Sequence, residues 1–341
     1  MSQPWGDRGG QPWGDQGRPQ FGGPGQQQWG SHLGAPPPGP AKRPGRLRII
    51  AFIAGGLVFV AVVGLVVWKL SQPQYKNDDY GIPQPTAHAP QPPEVKDPAE
   101  WDAIVRQNVL YQQTLDTPVR CELPDRLDPT WAREQVQEFL QQQVNCLHRV
   151  WGPVLDRTGK YTTHVPTVTV YDDDITTACG KQPKGPNNFY CRADQQLYFS
   201  MDLLTDPEAR TTQVHPAAEQ MLANSYAHLL QGRAQINDAV RTQGQRQKAA
   251  EALEANRRKT LQADCYAGMY LAAVAQSRGY GEAEVAAILA HARAIGDDNL
   301  PGERARTHGT GDSRAYWTQL GMSTTEVGKC NTFVAPPDLV R

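Results

Sequence analysis

The run from Ile49 to Trp68, Ile-Ile-Ala-Phe-Ile-Ala-Gly-Gly-Leu-Val-Phe-Val-Ala-Val-Val-Gly-Leu-Val-Val-Trp, contains no charged residue. A helix rises about 1.5 Å per residue, so such a stretch matches a hydrocarbon core about 30 Å thick. One transmembrane helix is expected over 49–68, dividing the chain into parts that fold in different surroundings. A cleaved signal peptide fits less well. The run begins 48 residues into the chain, exceeds an h-region of about 7–15 residues, and lacks a small-x-small exit before Trp68-Lys69. Lys42, Arg43, Arg46 and Arg48 crowd its N-terminal side, whereas Lys69 and Lys76 meet Asp78 and Asp79 on the other. The positive-inside rule then predicts a type II, single-pass protein of the cell membrane, with a cytoplasmic N-terminus and an extracytoplasmic C-terminal part.

Charge and composition follow the same division. The chain has 341 residues and net charge −1. Residues 1–48 carry six Lys or Arg and two Asp, a balance of +4, so the remainder carries −5. Neither part has the basic excess of a nucleic-acid binder, and no nucleic-acid partner is expected. Within 1–48, 9 Pro and 12 Gly resist helix and sheet, which predicts a disordered cytoplasmic tail. Gln3-Pro4-Trp5-Gly6-Asp7 returns as Gln11-Pro12-Trp13-Gly14-Asp15, too short a unit for a solenoid. Trp5, Trp13 and Trp29 are candidate contacts for a cytoplasmic partner, against the plainer reading of low-complexity drift. Residues 69–96 carry Pro73, Pro83, Pro85, Pro90, Pro92 and Pro93. They predict an extended linker that could reach about 80 Å at about 3.1 Å per residue.

The external part, 97–341, is long enough to bury one core and reads as α+β. Helical spacing of Trp131, Val136, Phe139, Leu140, Val144 and Leu147 predicts a helix to about Val150. Val165 to Tyr171 alternates as a strand, and Leu197-Tyr198-Phe199 reads as a second. Pro216 opens a helix through Gln231, with further helices over Leu261–Ala275 and Glu282–Ile295. The Gln/Arg/Lys/Glu-rich stretch 233–259 reads as a solvated helical arm. All six cysteines lie beyond the linker, so a disulfide framework in an oxidising compartment is expected, with 15 possible pairings.

Several strings in this part resemble the neutral zinc metallopeptidase family of bacteria. Ala178-Cys179-Gly180, Asn188-Phe189-Tyr190-Cys191-Arg192-Ala193-Asp194 and Leu197-Tyr198-Phe199 look like its "CG…FYC-x-x-D…vYld" block. Leu261-Gln262-Ala263-Asp264-Cys265-Tyr266-Ala267-Gly268 is similar to its "E-L-Q-A-D-C-Y-A-G" block from the second residue onward. Ala294 to Asp298, Thr307-His308-Gly309-Thr310 with Arg314 and Trp317, and Cys330-Asn331-Thr332-Phe333 resemble its C-terminal run. The resemblance implies a zincin-like α+β domain, a zinc cofactor, and the pairs Cys179-Cys191 and Cys265-Cys330, leaving Cys121-Cys146.

The family's metal helix reads "A-H-E-x-G-H-H-x-Q". Its two histidines four residues apart share a helix face and meet one metal, while the glutamate beside the first activates water. This chain has Ala223-Asn224-Ser225-Tyr226-Ala227-His228-Leu229-Leu230-Gln231 instead. Asn224 stands at the first ligand position, Ser225 at the base, and His228 alone survives. Thr260 occupies the position of the third ligand, the glutamate that opens "E-L-Q-A-D". None of the eight histidines precedes a glutamate, so no HExxH exists in any register. A replacement set of His215, Glu219 and His228 fails on helix geometry, because nine residues at about 100° each put Glu219 and His228 on opposite faces.

Asp264, a supporting residue in the family, is expected to hydrogen-bond or ion-pair with His228 as a remnant. A residual metal site on His228 and Asp264 is the sharper alternative. His308 is expected to be a hydrogen-bonded loop residue rather than a catalyst. The Gly309-Thr310-Gly311 run lacks the strand-to-helix setting of a serine nucleophile. The expected function is therefore that of an inactive metallopeptidase-like module at the cell envelope, without zinc, binding a peptide or protein partner. The alternatives are an active envelope zinc metallopeptidase with unconventional ligands around His228 and Asp264, and a structural tether whose tail does the cytoplasmic work.

Overall fold

A computed structural model of the chain describes residues 46–124, 127–206, 216–299 and 306–341. Nearly all of the low-complexity tail, with Trp5, Trp13 and Trp29, therefore lies outside the described residues, as does His215. The described residues belong to two units divided after Ser71.

The first unit contributes one helix, α1 (Arg46–Ser71), which extends the predicted apolar segment by three residues at each end. Its described apolar side chains, among them Leu57, Phe59 and Val60, are exposed. Among the described residues no helix is long and apolar enough to cross a membrane. The side chains of residues 49, 51, 52 and 55, inside the predicted span, lie outside the described ones.

The second unit, Gln72–Arg341, is an α+β domain. Asp97 caps α2 (Pro98–Arg106) by accepting the Ala99 N–H, with Pro98 in the first turn where no donor is lost. The long α3 (Arg133–Arg157) follows. Five short strands come next: β1 (Val168–Tyr171), β2 (Ile175–Thr177), β3 (Gly180–Gln182), β4 (Asn188–Cys191) and β5 (Gln196–Ser200). β5 lies centrally, parallel to β1 and antiparallel to β4, while β2 and β3 form a separate hairpin. The remaining helices are α4 (Ala217–Arg233), α5 (Ile236–Gly244), α6 (Ala249–Arg278), α7 (Glu282–Ala294) and α8 (Gly311–Met322). The core gathers Leu140, Leu147 and Trp151 of α3, Leu222 and Tyr226 of α4, and Tyr266 and Tyr270 of α6, all essentially inaccessible to solvent.

Two expectations change. The stretch 233–259 is not one solvated arm. It holds α5, which buries Ile236, Ala239 and Val240, and the first turns of α6. The apolar residues of α5 are few but share one face, a pattern hidden by the surrounding charges. The proline-rich 72–96 segment also does not extend away as a free linker. Lys76 N–H donates to Pro118 O at 2.7 Å and Thr86 N–H to Val165 O at 2.9 Å. Proline removes donors and leaves carbonyls, and the domain meets them: Arg233 donates to Pro90 O at 2.7 Å and Gln235 to Pro93 O at 2.9 Å. Gly152 of α3 makes room for Tyr80, since a Cβ there would lie 2.5 Å from the tyrosine hydroxyl. Val95 at the end of the segment is 2% exposed.

All three expected disulfides form. Cys121–Cys146 ties the approach of α3 to its middle, Cys179–Cys191 holds the hairpin to β4, and Cys265–Cys330 fastens the chain's end to α6. Helices α6 and α8 approach until their backbones touch. A Cβ on Gly268 would lie 2.2 Å from Thr318 O, and one on Gly321 would lie 2.0 Å from Cys265 O. Gly321→Ala is therefore predicted to destabilise the protein by about 3 kcal/mol in urea denaturation, because neither backbone can yield alone. At Gly244 an added Cβ would meet only the Ala252 methyl at 3.6 Å. Gly244→Ala should change stability by no more than about 0.5 kcal/mol, and equal losses in the two variants would refute the close-packing account.

Candidate functional site

Positions 224 and 228 lie four apart on α4, and 260 and 264 lie four apart on α6, so each pair shares one helix face. All four residues line a cleft of about 1170 Å³, together with Ser225, Lys259, His308, Arg314, and Asn188 and Tyr190 of β4. The structure thus brings together every position at which the family resemblance places metal chemistry.

Asp264 is the centre of this arrangement and is 3% exposed. Arg314 of α8 binds it with both arms, Nε to Oδ2 at 2.9 Å and Nη2 to Oδ1 at 2.9 Å. The remaining guanidinium nitrogen donates to Ile295 O at 2.9 Å. Asn224 Nδ2 donates to the same Oδ1 at 2.7 Å. A carboxylate flanked by a guanidinium accepts only, so Asn224 must present its amide nitrogen there. The expected pairing of Asp264 with His228 is not what forms. Asp264 takes the fixed cation across α6 and α8, a planar fork that matches a carboxylate better than a neutral imidazole does.

His228 turns instead to its own helix, with Nδ1 2.8 Å from Gln231 Oε1. Gln231 Nε2 donates to Lys259 O at 2.7 Å and to Gln262 Oε1 at 3.0 Å. Its carbonyl therefore faces the imidazole, Nδ1 carries the proton, and Nε2 keeps a lone pair. Burial, helped by the neighbouring Lys259 ammonium, pushes the His228 pKa down to about 3, so the ring is neutral at pH 7. Burial also lowers the pKa of Lys259.

Ser225 is 2% exposed, and its hydroxyl accepts from Asn188 Nδ2 at 2.7 Å. It is not hydrogen-bonded to a histidine, so the triad logic of a serine nucleophile is missing. Thr260 Oγ1 donates to Asn256 O of its own helix at 3.1 Å. His308 is a loop residue, with Nδ1 3.2 Å from Asp297 Oδ1 and its N–H donating to Asp297 Oδ2 at 2.7 Å. Glu219, considered above as a substitute ligand, forms a buried ion pair with Arg278 at 2.6 Å.

These residues do not make a zinc donor set. Zinc takes imidazole, thiolate or carboxylate, usually three or four together. Asn224 spends its amide nitrogen on Asp264, Thr260 spends its proton on the helix backbone, and of the three family ligand positions only 228 keeps an imidazole lone pair. Among the described residues no group of three or more His, Cys, Asp or Glu could hold a metal ion. Four contributors were not assigned roles from the sequence: Gln231, Asn188, Lys259 and Arg314. Gln231 was legible in principle, one helical turn beyond His228, whereas Arg314 reaches Asp264 across 50 residues and no spacing announces it.

A family described as "Putative neutral zinc metallopeptidase" matches residues 117–333, and the chain belongs to this family. It is 29% identical over 208 residues to "Uncharacterized protein YpfJ" of Escherichia coli strain K12, covering 59% of this chain and 72% of that protein. It is 28% identical over 256 residues to "Uncharacterized protein Mb2605" of Mycobacterium bovis and to "Uncharacterized protein Rv2575" of Mycobacterium tuberculosis, covering 67% of this chain and 82% of each. No solved structure matches.

A histidine whose folded pKa lies below its unfolded value of about 6.5 binds fewer protons in the native state, so stability falls as pH drops through that interval. His228 belongs to this class, and so do His148 and His164, which burial lowers to about 4. His228→Gln removes one contribution of this sign. Between pH 6 and 4.5 its unfolding free energy should decline with a slope smaller than that of the parent by nearly one proton, read from denaturation at stepped pH. Parallel slopes would mean that the ring titrates normally in the folded protein.

Proposed function

We propose that this chain is a membrane-anchored pseudoprotease, in which a metallopeptidase-type domain outside the cytoplasm holds a peptide or protein segment in its cleft without cutting it. The observation that carries this reading is the state of the ligand positions. Asn224 Nδ2 and Thr260 Oγ1 both donate inside the protein, and the position of the water-activating glutamate is a serine that accepts from Asn188. Loss of a general base costs about 10²–10⁴ in rate, and loss of the metal removes the polarised water as well. Helices α4 and α6 pack side by side, and α4 also packs against β4 of the β1-β5-β4 sheet.

The cleft suits a bound chain segment. Its lining includes Asn188, Asn237 and Asn256, whose amide nitrogens donate inside the protein, and the Phe189 and Tyr190 rings. An active enzyme built on His228 and Asp264 would first require Asp264 to give up both arms of Arg314, leaving a buried guanidinium without its partner. The anchor reading rests on the uncharged run 49–68, the helix that contains it, and the basic flank before it. The three disulfides favour an oxidising compartment.

Full-length protein provides the test. It should stay with carbonate-washed membranes and leave them only with detergent. After dialysis against zinc it should retain well under one metal per chain and leave casein intact with or without chelator. The triple variant Asn224→His, Ser225→Glu, Thr260→Glu restores the family's donor set and should gain about one zinc per chain. Stoichiometric zinc in the parent together with chelator-sensitive cleavage would overturn the pseudoprotease reading, and release by carbonate would overturn the anchor.

A further inference from the structure

The cations of the cleft are not equivalent. Arg192 pairs with buried Asp238 at 2.7 Å, and Arg241 pairs with Glu94 at 3.0 Å and with Asp238 at 3.5 Å. Arg314 is committed to Asp264. Lys259 alone among them has no ion pair and no side-chain hydrogen bond within the described residues, although it is half-buried.

Its own helix offers no relief. The neighbours three and four positions away are Ala255, Asn256, Gln262 and Ala263, none of them acidic. The cleft's carboxylates are taken: Asp264 by Arg314 and Asn224, and Asp297 by the N–H groups of His308 at 2.7 Å and Gly309 at 3.1 Å. Asp206 also has an interaction of its own. Drawing this ammonium out of water with no counter-charge among the described residues carries a cost. An anion entering the cleft removes it.

We infer that Lys259 is an anion anchor, and that the ligand of this cleft is a peptide segment presenting a carboxylate to it. The inference rests on the binding reading above and adds the chemical class of the ligand. Lys259 sets the polarity and register of the segment. His228, neutral and fixed by Gln231, adds no competing positive charge at the same place.

Fluorescence polarisation on the full-length protein in detergent micelles tests this with three probes. Each is an alanine-glycine hexapeptide carrying an uncharged dye at its N-terminus: the first ends in a free carboxylate, the second in an amide, and the third in an amide with one internal glutamate. The free acid should bind about tenfold or more tightly than the plain amide, the range expected for one charge-assisted contact. Recovery by the glutamate peptide assigns a side-chain carboxylate, and no recovery assigns the chain terminus. Either outcome fits the anchor. Lys259→Met should abolish the preference and Lys259→Arg should keep most of it. Equal binding of free acid and plain amide, with the glutamate peptide no tighter, or a preference that survives Lys259→Met, would overturn the anchor while leaving peptide binding in place. Failure of all three probes to bind would overturn both.

Discussion

The backbones of α6 and α8 touch, and the chemistry of the cleft depends on it. Gly268 and Gly321 each lack the one atom that would hold the two helices apart. At that distance the Arg314 guanidinium reaches Asp264 with two parallel hydrogen bonds, and neither group is left exposed. Cys265–Cys330 fastens the same region of α6 to the chain that follows α8. Asn224 then adds α4 to the pair through a third hydrogen bond on the same carboxylate. Three helices distant in sequence are joined at one buried charge.

In the pseudoprotease reading proposed above, this junction holds the cleft helices together without a metal. A buried carboxylate must be balanced, and the balance here is supplied from within the chain. The substitution of Asn224 is chemically apt, since its amide donates where an imidazole lone pair would have pointed outward. His228 keeps the orienting partner of a metal ligand, Gln231, but has no companions. What remains is a shaped cleft in which Lys259 is the lining cation without an ion pair among the described residues.

The amino-acid pattern made much of this legible. Helical spacing located α4 and the heart of α6, alternation located β1 and β5, and the substitutions at 224, 225 and 260 were visible because the flanking strings survive. The disulfide pairs followed from the resemblance and formed as expected. The patterns failed where contacts are long-range or where composition misleads. Proline content at 72–96 suggested a free linker, yet the carbonyls it leaves unpaired are what Arg233 and Gln235 grip. The charge-rich 233–259 stretch hid α5, whose few apolar residues share a face. Asp264 was matched with the wrong partner, because a guanidinium 50 positions away leaves no trace in local spacing.

The central claim is that Asp264, the buried carboxylate between the former ligand positions, is balanced without a metal. A ligand that binds only the folded state raises its stability, by about 2.7 kcal/mol at a hundredfold excess over the dissociation constant. The most direct measurement is therefore the thermal unfolding midpoint of the full-length protein, first with chelator and then across a zinc titration. The account predicts the same midpoint throughout. A midpoint that climbs and saturates with zinc, and drops back when chelator is added, would contradict it.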